Sequence, residues 1–180
     1  MTYIVSGSLT HKDSMGTSET LGPGSIQFMT AGRGIRHSEH NLDASSPLRF
    51  VQLWFTPRTS GLEPAYGGLP GDAAKRHNAW HVLAGDADDA ASTAGVRMNA
   101  DATVRATEIS AGSEVSFELK AGRMAYILAL ERRVTVSGPH GATDMGQHDA
   151  AEAVGPAELR FGAPPGGGGA HVLLIEMKKA

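Results

Sequence analysis

The stretch at residues 29–41, Met-Thr-Ala-Gly-Arg-Gly-Ile-Arg-His-Ser-Glu-His-Asn, decides how the rest of the chain is interpreted. Gly32 and Gly34 permit backbone angles closed to other residues, so a tight turn can lead into the segment that follows. That segment carries His37 and Glu39, and side chains at positions i and i+2 of a β-strand share a face. An imidazole nitrogen and a carboxylate oxygen would then converge, which is a metal-ligand arrangement. The alternative is a solvated strand face in which the His-x-Glu spacing occurs by chance.

Composition narrows the classes of function. The chain has 180 residues, a formal net charge of -3 and no cysteine. This length allows one ordinary domain or two small ones with a buried core. No basic stripe typical of duplex nucleic-acid binding is present, so we expect no direct nucleic-acid partner. Without thiolates, any metal must be held by His, Asp or Glu, which suits non-haem iron, manganese, zinc or copper.

Targeting signals are not visible in the sequence. No apolar run reaches the length of a membrane span, and residues 1–5 lack the charged-then-apolar pattern of a secretion signal. We therefore expect no membrane partner and a cytoplasmic location.

Short β-strand patterns separated by glycine turns run along the chain. Residues 25–29 alternate polar and apolar side chains, and residues 48–55 are rich in aromatic and β-branched types up to Pro57. Further strands are predicted at 3–5, 9–11, 35–39, 79–83, 103–109, 113–119, 123–130, 134–137, 159–161 and 172–176. No long helix with a repeating apolar stripe is predicted. Strands at spacings near ten residues predict an all-β sandwich or barrel.

A change in composition divides the chain. Residues 57–78 are rich in glycine and proline and are interpreted as a connection that crosses the surface. A second β pattern follows. We predict an N-terminal domain at 1–66, a linker at 67–78 and a C-terminal domain at 79–180.

Several segments of the N-terminal half resemble the pirin family. Their motifs are most similar to those of the bacterial pirins that resemble quercetin 2,3-dioxygenases. The segments are Tyr3-Ile4-Val5, His11-Lys12-Asp13-Ser14-Met15-Gly16, Leu21-Gly22-Pro23-Gly24, Gln27–Glu39 and Gln52-Leu53-Trp54. The resemblance is continuous to about Tyr66. Beyond that residue, only the spacing of the predicted strands and a few short segments are similar to the family. It implies an all-β bicupin, two double-stranded β-helix barrels, with a mononuclear metal, usually iron (Fe), in the N-terminal barrel. His37 and Glu39 fall on the family's last two metal ligands.

One family motif is missing from this sequence. The first two ligands of the family come from a His-Pro-His segment just before the Thr-Tyr that is here Thr2-Tyr3, and no His-x-His occurs in the chain. The resemblance therefore implies an incomplete N-terminal barrel and an open site that holds iron weakly or not at all, other divalent metals being alternatives. Either the reading frame was started too late, which the abrupt start favours, or the gene encodes a shortened pirin. A homodimer through the exposed N-terminal sheet edge is one expected way to cover that edge.

The resemblance implies a metal-dependent oxidoreductase of the quercetin 2,3-dioxygenase type, acting on a small flavonol-like aromatic. His37 would be a neutral metal ligand, and Glu39 a ligand or the catalytic base that removes the hydroxyl proton. Two alternatives stay open: a non-catalytic metal-binding co-regulator, as the pirins of animals suggest, and an inactive truncated pirin.

The remaining histidines are predicted not to be ligands. His40 is one residue off the ligand face, and His11 is interpreted as a hydrogen-bonding residue near Asp13. The histidines of the second half are predicted to be exposed or ordinarily hydrogen-bonded; they are His77, His81, His140, His148 and His171.

Structural roles are also predicted for side chains near the strand that carries His37 and Glu39. Phe50, Leu53 and Trp54 are predicted to lie in the barrel core rather than to form a substrate shelf. Gln52 would line the cavity or face solvent. Arg33 and Arg36 are predicted to form salt bridges with the other barrel in preference to attracting an anionic substrate.

Overall fold

A computed structural model describes residues 1–179 and is nearly all β-strand. In chain order its elements are β1 (Thr2–Ser6), β2 (Leu9–Asp13), β3 (Ser18–Leu21), β4 (Ile26–Thr30), β5 (His37–His40), β6 (Arg49–Gln52), β7 (Ala65–Leu69), α1 (Ala73–Arg76), β8 (His81–Asp86), β9 (Val96–Met98), β10 (Ala102–Ile109), β11 (Glu114–Leu119), β12 (Arg123–Glu131), β13 (Val134–Gly138), β14 (Gly141–Met145), β15 (Ala150–Val154), β16 (Ala157–Gly162) and β17 (Ala170–Lys178). The prediction of an all-β chain is confirmed. No helix among residues 1–179 is long and apolar enough to cross a membrane.

The chain forms two compact units. The first comprises Met1–Asp72 with Asp86–Ala100, and the second comprises Ala73–Gly85 and the chain from Asp101 onward. The stretch predicted as a linker, 67–78, contains the end of β7 and all of α1. β7 forms there because its backbone pairs with β4 along five residues, which the glycine-rich sequence did not suggest.

The first unit is built from two antiparallel sheets. One has the strand order β6-β1-β4-β7 and the other the order β3-β2-β5. Ile4, Leu9 and Leu21 form a buried apolar cluster against which Leu48 packs. Gly7 joins β1 to β2 with a φ of +78°, and a Cβ there would lie 2.6 Å from the Pro47 carbonyl oxygen. Only glycine therefore fits the turn that carries the chain from the first sheet to the second.

The second unit encloses its own apolar core between two antiparallel strand layers. One layer contains β15-β12-β17-β10-β8 and the other has the order β11-β16-β13-β14. β11 alternates exposed and buried residues, so Val115, Phe117 and Leu119 face the core. Trp80 closes one side of that core, with its ring 5.0 Å from that of the fully buried Phe161. The period-two pattern thus accounts for the packing.

Two aromatic residues that were predicted to lie in the core are exposed. Trp54 is 89% exposed and Phe50 is 39% exposed, whereas Leu53 is partly buried. The prediction is wrong for both residues. Phe50 occupies an exposed position of β6, an outer strand of its sheet, and Trp54 lies beyond the end of that strand. The homodimer expected through a sheet edge stays a prediction.

Replacing Phe161 with alanine tests the core of the second unit. The substitution removes a fully buried ring, and we expect it to lower the free energy of unfolding by about 3–5 kcal/mol. Urea unfolding followed by circular dichroism measures the change. Tyr126→Ala, at a position 38% exposed in the same unit, is the control and should cost about 1 kcal/mol or less. Equal losses for the two variants would contradict the described core.

Candidate metal centre

The pairing of β2 with β5 brings four chemically active side chains together. In this antiparallel pair His11 lies opposite Glu39, and Asp13 lies opposite His37. Within each strand the two residues are separated by one position, so all four side chains occupy one face of the sheet. The predicted convergence of His37 and Glu39 is therefore present, and β2 adds two further polar groups.

Three of these residues form a candidate donor set. His11, His37 and Glu39 each offer one potential ligand atom, and the three atoms lie within 4.8 Å of one another. Donors bound to a common ion at about 2.1 Å lie about 3–4 Å apart, so small side-chain movements would complete the contacts. Two imidazoles and a carboxylate suit iron, manganese, zinc and similar divalent ions. The residues present therefore fit a metal.

The Glu39 carboxylate is held by side chains from β1 and β6, two adjacent strands of the facing sheet. Its Oε1 accepts a hydrogen bond from Thr2 Oγ1 at 3.2 Å, and its Oε2 accepts one from Gln52 Nε2 at 3.1 Å. Each carboxylate oxygen can accept a second interaction. Gln52 lines the cavity and is also exposed to solvent, so both positions considered for it apply.

His11 is buried and held by Asp13. The Nε2 atom of His11 lies 3.0 Å from Asp13 Oδ2, and Asp13 Oδ1 accepts hydrogen bonds from the backbone N–H groups of Met15 and Thr17. The hydrogen-bonding role predicted for His11 is confirmed. Burial opposes ionisation of Asp13, but the hydrogen bonds from His11, Thr17 and Met15 outweigh it and leave the pKa of Asp13 below its ordinary value.

The other nitrogen of His11, Nδ1, has no hydrogen-bond partner among residues 1–179. An ionised Asp13 favours the proton on Nε2, which leaves Nδ1 with a free lone pair. Nδ1 is buried and accepts no hydrogen bond from any residue in the range 1–179. Leaving such a group unsatisfied costs about 1–3 kcal/mol. Sequence reasoning set His11 aside as a ligand; the signal that could have included it is His11-x-Asp13, which repeats the spacing of His37-x-Glu39.

Tyr66 fixes the plane of the His11 ring. The two rings stack with centroids 4.4 Å apart and an interplanar angle of 24°, and the Tyr66 hydroxyl donates to Glu19 Oε2 at 2.7 Å. Burial, and then this bond to Glu19, raise the pKa of Tyr66 well above its ordinary value. A Cβ at Gly68 would overlap the same Glu19 oxygen, so glycine leaves room for the carboxylate.

A cavity of about 470 Å³ opens in front of His37 and Glu39 within the first unit. Its walls are largely apolar and aromatic, formed among others by Phe28, Met29, Leu53, Trp54 and Phe55. This volume lies in the range of sites for small organic ligands. The cavity therefore combines a polar donor group with walls suited to an apolar ring system.

The structure also describes Arg33 and the histidines that were predicted not to be ligands. Arg33 forms an ion pair with Glu63, and the salt bridge with the other barrel stays a prediction for Arg33 and Arg36. His40 is exposed and lies outside the donor set. Of the histidines in the second half, His77, His140 and His148 are exposed. His171 is buried, with its Nδ1 3.8 Å from Glu131 Oε2, and burial lowers its pKa.

Comparison with known proteins agrees with this architecture. The pirin family model matches residues 1–55, and the model of the quercetinase C-terminal cupin domain matches residues 82–177. A pirin-like protein of Caulobacter vibrioides is 32% identical over 138 residues, covering 77% of this chain and 58% of the relative. A quercetin 2,3-dioxygenase of Escherichia coli K12 is 30% identical over 146 residues, covering 81% of this chain and 61% of the relative.

The crystal structure of YhhW from Escherichia coli is similar with a TM-score of 0.83 and 25% identity, over 99% of this chain and 71% of that one. The predicted architecture of two cupin barrels is confirmed by these matches. The chain spans about three fifths of the length of the two curated relatives. The domain boundaries at 66 and 79 stay predictions.

Replacing Tyr66 with phenylalanine tests the support of His11. The folded chain keeps the hydroxyl protonated, whereas the unfolded chain releases the proton near the ordinary pKa of 10.0. The hydroxyl therefore contributes fully below pH 10, and its contribution is lost as the pH rises further. We expect Tyr66→Phe to lower the free energy of unfolding by about 1–2 kcal/mol at pH 8, and by less at pH 11.

Urea unfolding at the two pH values measures this difference. The exposed Tyr126 supplies the control variant Tyr126→Phe, for which we expect little change at either pH. A deficit of Tyr66→Phe that is constant or grows between pH 8 and pH 11 would show that the hydroxyl does not act in this way.

Proposed function

This chain belongs to the pirin family, and we propose that it is a metal-dependent oxidoreductase of the quercetin 2,3-dioxygenase type. The observation that carries the proposal is that His37 and Glu39 share one cavity with apolar and aromatic walls. A relative in Escherichia coli carries the name quercetin 2,3-dioxygenase. Because the chain spans only part of that relative, both the activity and the substrate are proposed for the chain as it stands.

His37 and Glu39 are the residues proposed to hold a mononuclear metal, with iron as the expected ion and other divalent ions as alternatives. When bound, the metal would act as a Lewis acid for the deprotonated flavonol hydroxyl and would make the flavonol reactive towards dioxygen. His37 would contribute a neutral imidazole nitrogen. Its exposure to the cavity allows a ligand to enter from that side.

Glu39 is proposed as the catalytic residue. Its carboxylate would accept the proton of a flavonol hydroxyl, leaving the oxygen with the electron pair of the broken O–H bond. Thr2 and Gln52 fix the two carboxylate oxygens from neighbouring strands, which keeps the base in place before substrate arrives. Such positioning lowers the cost of reaching the reactive geometry.

The aromatic wall of the cavity suggests the substrate class. Trp54 is almost fully exposed at the cavity, and Phe28 and Phe55 also line it. Flat aromatic ligands stack favourably on such side chains while their hydroxyl groups meet the polar end of the site. We therefore propose a small flavonol-like aromatic as substrate, with its hydroxyl directed at Glu39.

Loss of quercetin absorbance tests the proposed reaction. The purified chain is loaded with Fe²⁺ under argon and then exposed to air and quercetin. We expect Glu39→Gln and His37→Ala to reduce the rate by at least about 100-fold, because each removes a group proposed to bind metal or take the proton. His40→Ala, on the same strand outside the donor set, should retain the rate of the unsubstituted chain.

Two results would contradict the proposal. If the iron-loaded chain leaves quercetin unchanged while holding stoichiometric metal, a non-catalytic binding role is supported instead. If the chain holds no metal at all, the interpretation as an inactive pirin is supported.

Trp54→Ala tests the aromatic wall separately from the chemistry. Loss of a stacking surface should weaken quercetin binding to the metal-free chain by about 5- to 10-fold, as measured by isothermal titration calorimetry. Tyr126→Ala removes an exposed aromatic of the second unit and serves as the control. Unchanged affinity in the Trp54 variant would remove Trp54 from the proposed binding surface.

A further inference from the structure

We propose that His11 is a third protein ligand to the metal, and that its Nδ1 atom is the donor. This inference rests on the proposed function, since it assumes a metal at His37 and Glu39. It goes further by assigning a metal-ligand role to a residue that the sequence predicts only to form a hydrogen bond.

Strand register places His11 correctly for this role. His11 lies directly opposite Glu39 in the β2–β5 pair, and its ring centroid is 5.4 Å from that of His37. His11, His37 and Glu39 each offer one potential ligand atom, and these three atoms lie within 4.8 Å of one another. Three protein donors leave coordination positions free for a small ligand, as in metal sites that carry out reactions.

The tautomer of His11 suits a metal donor at Nδ1. Asp13 occupies the Nε2 side of the ring at 3.0 Å and is itself fixed by two backbone N–H groups. Metal-binding histidines commonly donate their other ring N–H to a carboxylate, which orients the ring and increases the basicity of the donor nitrogen. The pair Asp13–His11 reproduces that arrangement.

Burial and stacking point to the same assignment. The His11 residue is only 1% exposed, and its Nδ1 is a buried polar atom without a hydrogen-bond partner in the described chain. Tyr66 stacks on the ring and limits its rotation. A nitrogen acceptor that is buried, oriented and unsatisfied beside a histidine and a carboxylate is a site prepared for a cation.

Binding of Co²⁺ to the purified chain tests the inference. Calorimetry gives the affinity, and the visible absorption of Co²⁺ reports the number and type of donors. We expect His11→Phe, which keeps a ring against Tyr66 but has no nitrogen, to weaken binding on the order of 100-fold and to change the absorption bands. Asp13→Asn should weaken binding by about 10-fold, and the matched control His40→Phe should change neither quantity.

The outcomes separate this inference from the proposed function. If His37→Ala weakens Co²⁺ binding and a folded His11→Phe does not, the third ligand is refuted and the His37–Glu39 site stands. If Co²⁺ binding depends on His11 but the iron-loaded chain leaves quercetin unchanged, the ligand assignment holds and the oxygenase activity fails. If the unsubstituted chain binds no Co²⁺, both proposals are overturned.

Nuclear magnetic resonance of the unsubstituted chain avoids reliance on a buried substitution. On addition of Zn²⁺, we expect the imidazole ¹⁵N resonances of both His11 and His37 to shift, with the change in His11 at Nδ1, while those of His40 remain in place. A shift confined to His37 would overturn the assignment even if the His11 variant failed to fold.

Discussion

The antiparallel register between β2 and β5 determines which side chains can meet at the candidate site. A slip of one residue would turn His11 and Asp13 to the opposite face of the sheet. Hydrogen bonds beyond the ladder hold the register: Ser14 N–H donates to the Arg36 carbonyl at 2.9 Å, and the Arg36 N–H donates to Ser14 Oγ at 3.2 Å. The turn after β2 therefore sets the position of a strand more than twenty residues further along the chain.

The site also requires the second sheet of the same unit. Glu39 lies on β5, but the groups that fix its two oxygens come from β1 and β6. Tyr66, which supports His11, comes from β7. The polar centre is thus assembled where the two sheets face each other, and the apolar cluster around Ile4 and Leu9 holds those sheets together. Core packing and site geometry in this unit depend on the same strands.

Sequence patterns predicted features that depend on neighbouring residues, and missed features that depend on how distant strands pair. The shared face of His37 and Glu39 follows from the period of a single strand, and alternation along the chain was enough to predict most strands. His11 could not be paired with Glu39 from the sequence alone, because their register depends on contacts across 28 positions. Trp54 is a core residue by type, but it lies beyond the end of β6 and is exposed, and the sequence did not show where that strand ends. β7 and α1 were hidden in a glycine- and proline-rich stretch, where local propensity is weak.

The alternation of β2 and β5 has a consequence for sequence divergence. Residues whose side chains face the centre must satisfy several partners at once, whereas Lys12, Ser38 and His40 lie at the intervening positions and are exposed or only partly buried. Evolution can therefore alter these three positions at little cost, whereas Thr10, the remaining intervening position of β2, is buried and hydrogen-bonded to Thr20. Among natural homologues, Lys12, Ser38 and His40 should therefore vary more than the residues beside them in the two strands. The surface charge and polarity can then change while the donor groups on the inner face are retained.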